Sequence, residues 1–131
     1  MQFNNDKPIY LQLADRLADD IVGGTYNDDD RVPSVREYAM QTEVNTNTAV
    51  KAYDELSRDE IIYNRRGLGY FVTPGARGRI ADARRHEFVN TVLPEVFRQM
   101  RLLGIGMDDV EREWAASTQR RGDTTTQQPT T

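Results

Sequence analysis

The stretch Arg31-Val-Pro-Ser-Val-Arg-Glu-Tyr38 decides the fold. Ser34 and Glu37 stand at the S-x-x-E spacing of a capping box, in which the serine side chain and the glutamate each take up a backbone N–H that a first helical turn leaves unpaired. Pro33, just before, discourages helix upstream. The spacing therefore predicts a short helix over about Val35 to Thr42 that buries Val35, Tyr38 and Ala39. Only a few residues later Asn45 can cap another helix, over about Thr46 to Arg58. At about 100° per residue, Ala49, Ala52, Tyr53 and Leu56 make its inward stripe, and Asn47, Val50, Lys51 and Asp54 face outward. Two helices joined by a tight turn, the second with small polar and basic residues on its outer N-terminal half, have the helix-turn-helix arrangement.

Upstream, Ile9, Leu13, Leu17 and Ile21 recur at helical spacing, widened by Tyr10, Leu11 and Ala14, and predict a helix from Pro8 to about Gly23. Asn5 and Asp6 suit its cap, Pro8 its first turn, and Gly23-Gly24 its end. Downstream, Ile61-Ile-Tyr63 and Tyr70-Phe-Val72 read as short strands around the basic turn Asn64-Arg-Arg-Gly-Leu-Gly69. A hairpin with arginines at its tip, directly after a recognition helix, is a wing whose backbone and cations reach phosphates or the minor groove.

Pro74-Gly75 and Arg77-Gly-Arg79 mark a junction. Beyond it Val89, Val92, Leu93, Val96, Met100 and Leu103 recur every three or four residues, which predicts a long amphipathic helix over Ile80 to Leu103, broadened by Phe88, Phe97 and Leu102. Pro94 should kink it or break it in two. Gly104-Ile-Gly106 makes a turn, and a last helix from Asp108 to about Ala116 presents Val110, Trp114 and Ala115. A single helix hairpin cannot bury so broad an apolar face, so the stripe, with Val110 and Trp114, is expected to meet a second copy of itself. Ser117 to Thr131 is Thr/Gln-rich and is expected to be a disordered tail. The expected division is a DNA-binding domain over 1–75, a helical dimerisation region over 76–116 and the tail over 117–131. The fold class is mainly α with a small β element, a winged helix-turn-helix followed by short helices.

Composition limits the chemistry. Cysteine is absent and His86 is the one histidine, so nucleophilic triads and multi-histidine or thiolate metal sites have little to draw on. His86 sits in the polar Arg84-Arg-His-Glu87 and reads as a solvated helix position. No cofactor and no enzymatic activity are expected. No apolar run approaches the roughly 18 residues that span a bilayer, and no signal peptide precedes the first helix, so a cytoplasmic protein is expected.

The residues Pro8-Ile-Tyr-Leu-Gln-Leu13, Asp30-Arg-Val-Pro-Ser-Val-Arg-Glu37, Val44-Asn-Thr-Asn-Thr48, Ala52-Tyr53 and Arg65-Arg-Gly-Leu-Gly-Tyr-Phe-Val72 resemble, in order and spacing, the GntR family of bacterial transcription regulators. The resemblance covers roughly residues 8 to 73. The short C-terminal part is similar to the YtrA subfamily, which carries a small helical dimerisation element in place of a large sensor domain. The resemblance implies a homodimer on a palindromic operator in double-stranded DNA, usually a repressor and commonly of neighbouring transporter genes. It implies DNA contacts at Arg36, at Asn45, Thr46, Asn47 and Thr48, at Lys51, and at Arg66 and Gly67, with Arg31 on a phosphate; Ser34 and Arg65 complete the set. The family often has glycine where this chain has Asp29, Glu43 and Glu60, and proline where it has Thr46.

Several of these residues also have a plainer use. Arg36 could pair with Glu37, Lys51 with Glu55, Asn45 could only cap a helix, and Arg65 and Arg66 could merely protect a hairpin edge. The formal net charge of −4 also leaves open a winged-helix module that binds proteins. Yet specific recognition needs cations on one face, and screening over about 8–10 Å limits distant acids. A small-molecule effector is possible, with no residue spacing that identifies one.

Overall fold

A computed structural model describes residues 7–124. They fold as two compact units, residues 7–85 and 86–124. In the first unit, α1 (Ile9–Val22), α2 (Val35–Thr42) and α3 (Thr46–Arg58) precede the antiparallel hairpin β1 (Ile62–Arg65) and β2 (Gly69–Val72), and α4 (Ala76–Glu87) begins after it. The core is the set of faces that the periodicities predict: Leu13, Leu17 and Ile21 from α1, Tyr38 from α2, Ala52, Tyr53 and Leu56 from α3, and Ile62 and Val72 from the hairpin, with Val32. Val35, expected inside, only packs against this cluster.

Several boundaries differ from expectation, each for a local reason. Pro8 lies one residue before α1 as its cap, its carbonyl accepting from the Leu11 and Gln12 N–H groups, while Asn5 and Asp6 fall outside the described residues. Asn64 and Arg65 belong to β1 rather than to the turn, because Asn64 pairs with Tyr70 and Arg65 with Gly69. Only Arg66, Gly67 and Leu68 remain at the tip. Arg77-Gly-Arg79 is not a linker but the first turn of α4. Ala76 and Ile80 are buried in the first unit's core, and Arg77 donates to the Ile21 carbonyl and Asn27, so burial outweighs the cost of a helical glycine.

In the second unit a π turn (Phe88–Val92) leads into α5 (Leu93–Leu103), and α6 (Met107–Thr124) follows Gly104, whose φ of 69° ends α5. The π turn is how the chain accommodates Pro94: proline has no N–H to donate and its ring crowds the carbonyl four residues back, and the Leu93 N–H reaches instead to the Phe88 carbonyl, five residues away. The tail expected from Ser117 does not begin there. Helix continues to Thr124, since once Gly106 and Asp109 have capped the first turn, further turns add cheaply to an existing nucleus. Residues 125–131 of that expected tail lie outside the described residues. No described side chain of α5 is buried, and Phe97 and Trp114 stand 39% and 74% exposed.

Candidate nucleic-acid interface

The capping box forms in full. The Ser34 hydroxyl accepts from the Glu37 N–H at 3.0 Å, and the Glu37 carboxylate accepts from the Ser34 N–H at 2.8 Å. These bonds from Ser34, with the positive charge of Arg31, hold the Glu37 carboxyl below its usual range. Glu37 is thereby occupied by the helix start, and Arg36, exposed beside it, has no salt bridge among the described residues.

Between α2 and α3 the chain turns through Glu43, at φ 58°, and the Val44 N–H closes α2 on the Ala39 carbonyl. Asn45 then caps α3, its side-chain oxygen accepting from the Asn47 N–H at 2.7 Å. The plain role of Asn45 is thus realised, at an exposed residue. Thr46, Asn47, Val50 and Lys51 are exposed along the outer face of α3, and Thr48 is half-buried. Glu55 pairs with Arg58 at 2.7 Å rather than with Lys51, so the anticipated Lys51–Glu55 pair does not form.

Tyr53 orients α3. Fully buried, it donates its hydroxyl to the Pro33 carbonyl at 2.6 Å and meets Tyr38 and Tyr70 at ring distances of 5.7 and 5.1 Å. One side chain of α3 therefore touches the entry to α2, α2 itself and the wing.

The wing is tied to the segment before α2 by contacts that no periodicity signals. Arg31 bridges Phe71, Val32 N–H donates to the Tyr70 carbonyl at 3.0 Å, and Arg31 Nε donates to the Leu68 carbonyl at 3.1 Å. A Cβ on Gly69, whose φ is 115°, would lie 3.0 Å from Arg31 Nε, so glycine there makes room for the guanidinium. On the outer face of the hairpin Tyr63 stacks on Phe71, Arg65 lies over the same ring at 5.1 Å, and the Tyr63 hydroxyl donates to Asp29. Arg31, expected as a phosphate ligand, is thus also a tie between the segment before α2 and the wing, and Tyr63 and Phe71, expected only as strand residues, carry the ring contacts of the wing's outer face. The paired glycines at 67 and 69 were the available hint that a side chain packs closely there.

The helix-turn-helix and its wing keep most of their cations outside the described ion pairs. The five salt bridges among the described residues engage Lys7, Arg58, Arg84, Arg98 and Arg112. Arg31, Arg36, Lys51, Arg65 and Arg66, all exposed and all in the helix-turn-helix and its wing, are in none of them. No group of three or more metal-ligating side chains occurs among the described residues.

Residues 9–72 match the family of bacterial regulatory proteins called the gntR family. Across a longer span, the chain is 38% identical over 109 residues to the HTH-type transcriptional regulator YhcF of Bacillus subtilis, covering 83% of this chain and 88% of YhcF. This chain belongs to the GntR family. As a GntR-family chain it is a transcription regulator with a winged helix-turn-helix, not an enzyme. It is also 32% identical over 93 residues to the HTH-type transcriptional repressor YtrA of B. subtilis, covering 71% of this chain and 68% of YtrA. Among solved structures, a GntR-family regulator from Bacteroides thetaiotaomicron superposes with a TM-score of 0.76 at 42% identity, covering 87% of this chain and 99% of that one. The DNA-binding domain of AraR in complex with operator ORX1 matches with a TM-score of 0.51 at 26% identity, over 55% of this chain and 93% of that one.

Proposed function

We propose that this GntR-family regulator is a YtrA-like homodimer in the cytoplasm that represses transcription from an inverted-repeat operator, transporter genes beside its own among the targets. The observation that carries the reading is that this winged helix-turn-helix presents five exposed cations, Arg31, Arg36, Lys51, Arg65 and Arg66, on α2, α3, the wing and the segment before α2, none of them in a described ion pair. Such cations are free to displace counterions from phosphates. The AraR complex supports operator binding by this fold, and the likeness to YtrA supports the sign of regulation.

In this reading α3 enters the major groove, where Asn47 is suited to adenine and Val50 to a thymine methyl, and Thr46, Thr48 and the Asn45 amide contact the same groove edge. Arg36 joins them from the first turn of α2, between the two residues of the capping box. Arg31, Lys51, Arg65, Arg66 and the Gly67 backbone engage phosphates, and Ser34 acts through the helix start it caps. The apolar faces of α5 and α6, including Val89, Val92, Leu93, Val96, Phe97, Met100, Leu103, Val110 and Trp114, pair two copies. Two half-sites then lie about one helical turn or a little more apart. An effector, should one act, has an apolar-floored cavity of about 430 Å³ between α1, α3 and α4, lined by Ala14, Ala18, Leu56, Ile80 and Ala83.

The test is fluorescence anisotropy on the inverted repeat upstream of the protein's own gene. Binding should weaken steeply with salt, and Arg36→Ala should cost about 1–3 kcal/mol. Unchanged affinity in that variant removes Arg36 from the interface. Failure to enrich any palindrome from genomic fragments, with capture of a defined protein partner, favours the protein-interaction reading instead.

A further inference from the structure

The wing tip carries a side chain that neither the fold nor phosphate binding uses. Leu68 is 56% exposed and stands outside the core cluster. Its backbone is nevertheless fully engaged: the Leu68 N–H donates to the Arg65 carbonyl at 2.8 Å, and its own carbonyl accepts from Arg31 Nε at 3.1 Å. Glycines flank it, at φ 76° for Gly67 and 115° for Gly69, with open space around Gly67. A large apolar side chain is thus held in water on a rigid loop, whereas exposed hairpin edges ordinarily carry charge.

We infer that Leu68 is an apolar wedge that enters the minor groove and reads how easily the base step beneath it opens. The inference rests on the operator-binding reading and adds to it a role for a residue outside the cationic set. Three features suit Leu68 to this occupant. Arg66 at the tip and Arg65, held over Phe71, draw this end of the hairpin to a polyanion. The flanking glycines let the backbone come close to the groove walls. Inside the groove, sugar edges and partly unstacked base faces supply the apolar surface that a leucine lacks in solvent, as wedge residues do in other minor-groove proteins. A protein partner fits less well, because one leucine beside two arginines is far short of the roughly 1,000 Å² that a stable protein interface needs.

The consequence is selectivity without hydrogen bonds to bases. Pyrimidine–purine steps such as TA and CA unstack most readily, so the operator should favour one beneath each wing, outside the bases that α3 reads.

The experiment uses the full-length protein and operator duplexes carrying 2-aminopurine at the step flanking each half-site. The wild type should raise 2-aminopurine fluorescence and prefer a TA flank to an AA flank by about tenfold. Leu68→Ala should lose both effects while still binding the half-sites through α3, and Leu68→Met should keep them. Wild-type binding with the same fluorescence and flank preference in Leu68→Ala overturns the wedge and leaves the operator reading intact. Absence of sequence-specific binding by the wild type overturns the operator reading and the wedge with it.

Discussion

The Tyr53 hydroxyl, carried on α3, donates to the Pro33 carbonyl at 2.6 Å and so fastens the recognition helix to the residue that precedes the capping box of α2. The bond joins positions twenty apart in the chain and sits where the angle between the two helices is set. Tyr53→Phe keeps the ring in its contacts with Tyr38 and Tyr70 but leaves the part-buried carbonyl without that donor. The expected loss is about 1–2 kcal/mol of unfolding free energy, read from urea titrations with an unchanged m-value. Operator affinity should fall as well, because α3 is then less firmly oriented toward its groove.

Alkaline pH should act on the same core. Burial raises the phenol of Tyr53 and that of Tyr38, whose hydroxyl donates to the Leu13 carbonyl, above the ordinary tyrosine range. The folded state thus holds both protons more tightly than the unfolded chain does. Their contribution is fully present below the unfolded pKa of about 10 and is lost progressively as pH rises beyond it toward the folded values. Thermal melts should be insensitive to these groups from pH 7 to 9 and then shift steeply downward. Tyr53→Phe should flatten that decline, and an equally steep decline in the variant would place its cause elsewhere.

The helix-turn-helix was legible because its signals are local. Ser34 and Glu37 cap a helix three residues apart, and the stripe of Ala49, Ala52, Tyr53 and Leu56 is periodic, so α2 and α3 lie where the spacing puts them. The wing's anchorage was not legible. Arg31 and Leu68 are 37 positions apart, and a single bridge to Phe71 has no period to detect. Pro94 announced a disturbed helix but not its form, since a kink, a break and a π turn all avoid the same clash. At Arg77-Gly-Arg79 a local linker signal lost to burial of Ala76 and Ile80 on either side.

The three places where the chain carries an acid and its family often has glycine form another test. Asp29, Glu43 and Glu60 have φ values of 65°, 58° and 62°, the left-handed region that costs an L-residue about 1–2 kcal/mol and glycine almost nothing. Glu43 and Glu60 are exposed, and neither side chain is in a described salt bridge. After glycine's larger unfolded-state entropy is counted, Glu43→Gly and Glu60→Gly should each stabilise the fold by about 0.5–1 kcal/mol. Together they should raise Tm by roughly 4–10 °C. Asp29→Gly should help less, since it also removes the acceptor of the Tyr63 hydroxyl. Calorimetry on the three single variants and the Glu43/Glu60 pair checks the order.

The second unit supplies the sharpest test of assembly. Phe97 is 39% exposed on α5, so a charge placed there strains no interior contact of the single chain. If the apolar faces of two copies meet, each dimer loses two buried phenylalanine side chains in Phe97→Asp, each worth about 1.5–3 kcal/mol, and gains two carboxylates with no assigned partner. The dimer should then dissociate about 10²–10⁴-fold more readily, with a far-UV circular dichroism spectrum like that of the wild type. Sedimentation velocity should show a monomer where the wild type sediments as a dimer. On DNA the monomer should keep its affinity for an isolated half-site and lose the added affinity of a paired one, because the second contact no longer benefits from the high local concentration that the dimer provides. A Phe97→Asp protein that still sediments as a dimer and still distinguishes paired from single half-sites would remove Phe97 from the subunit interface.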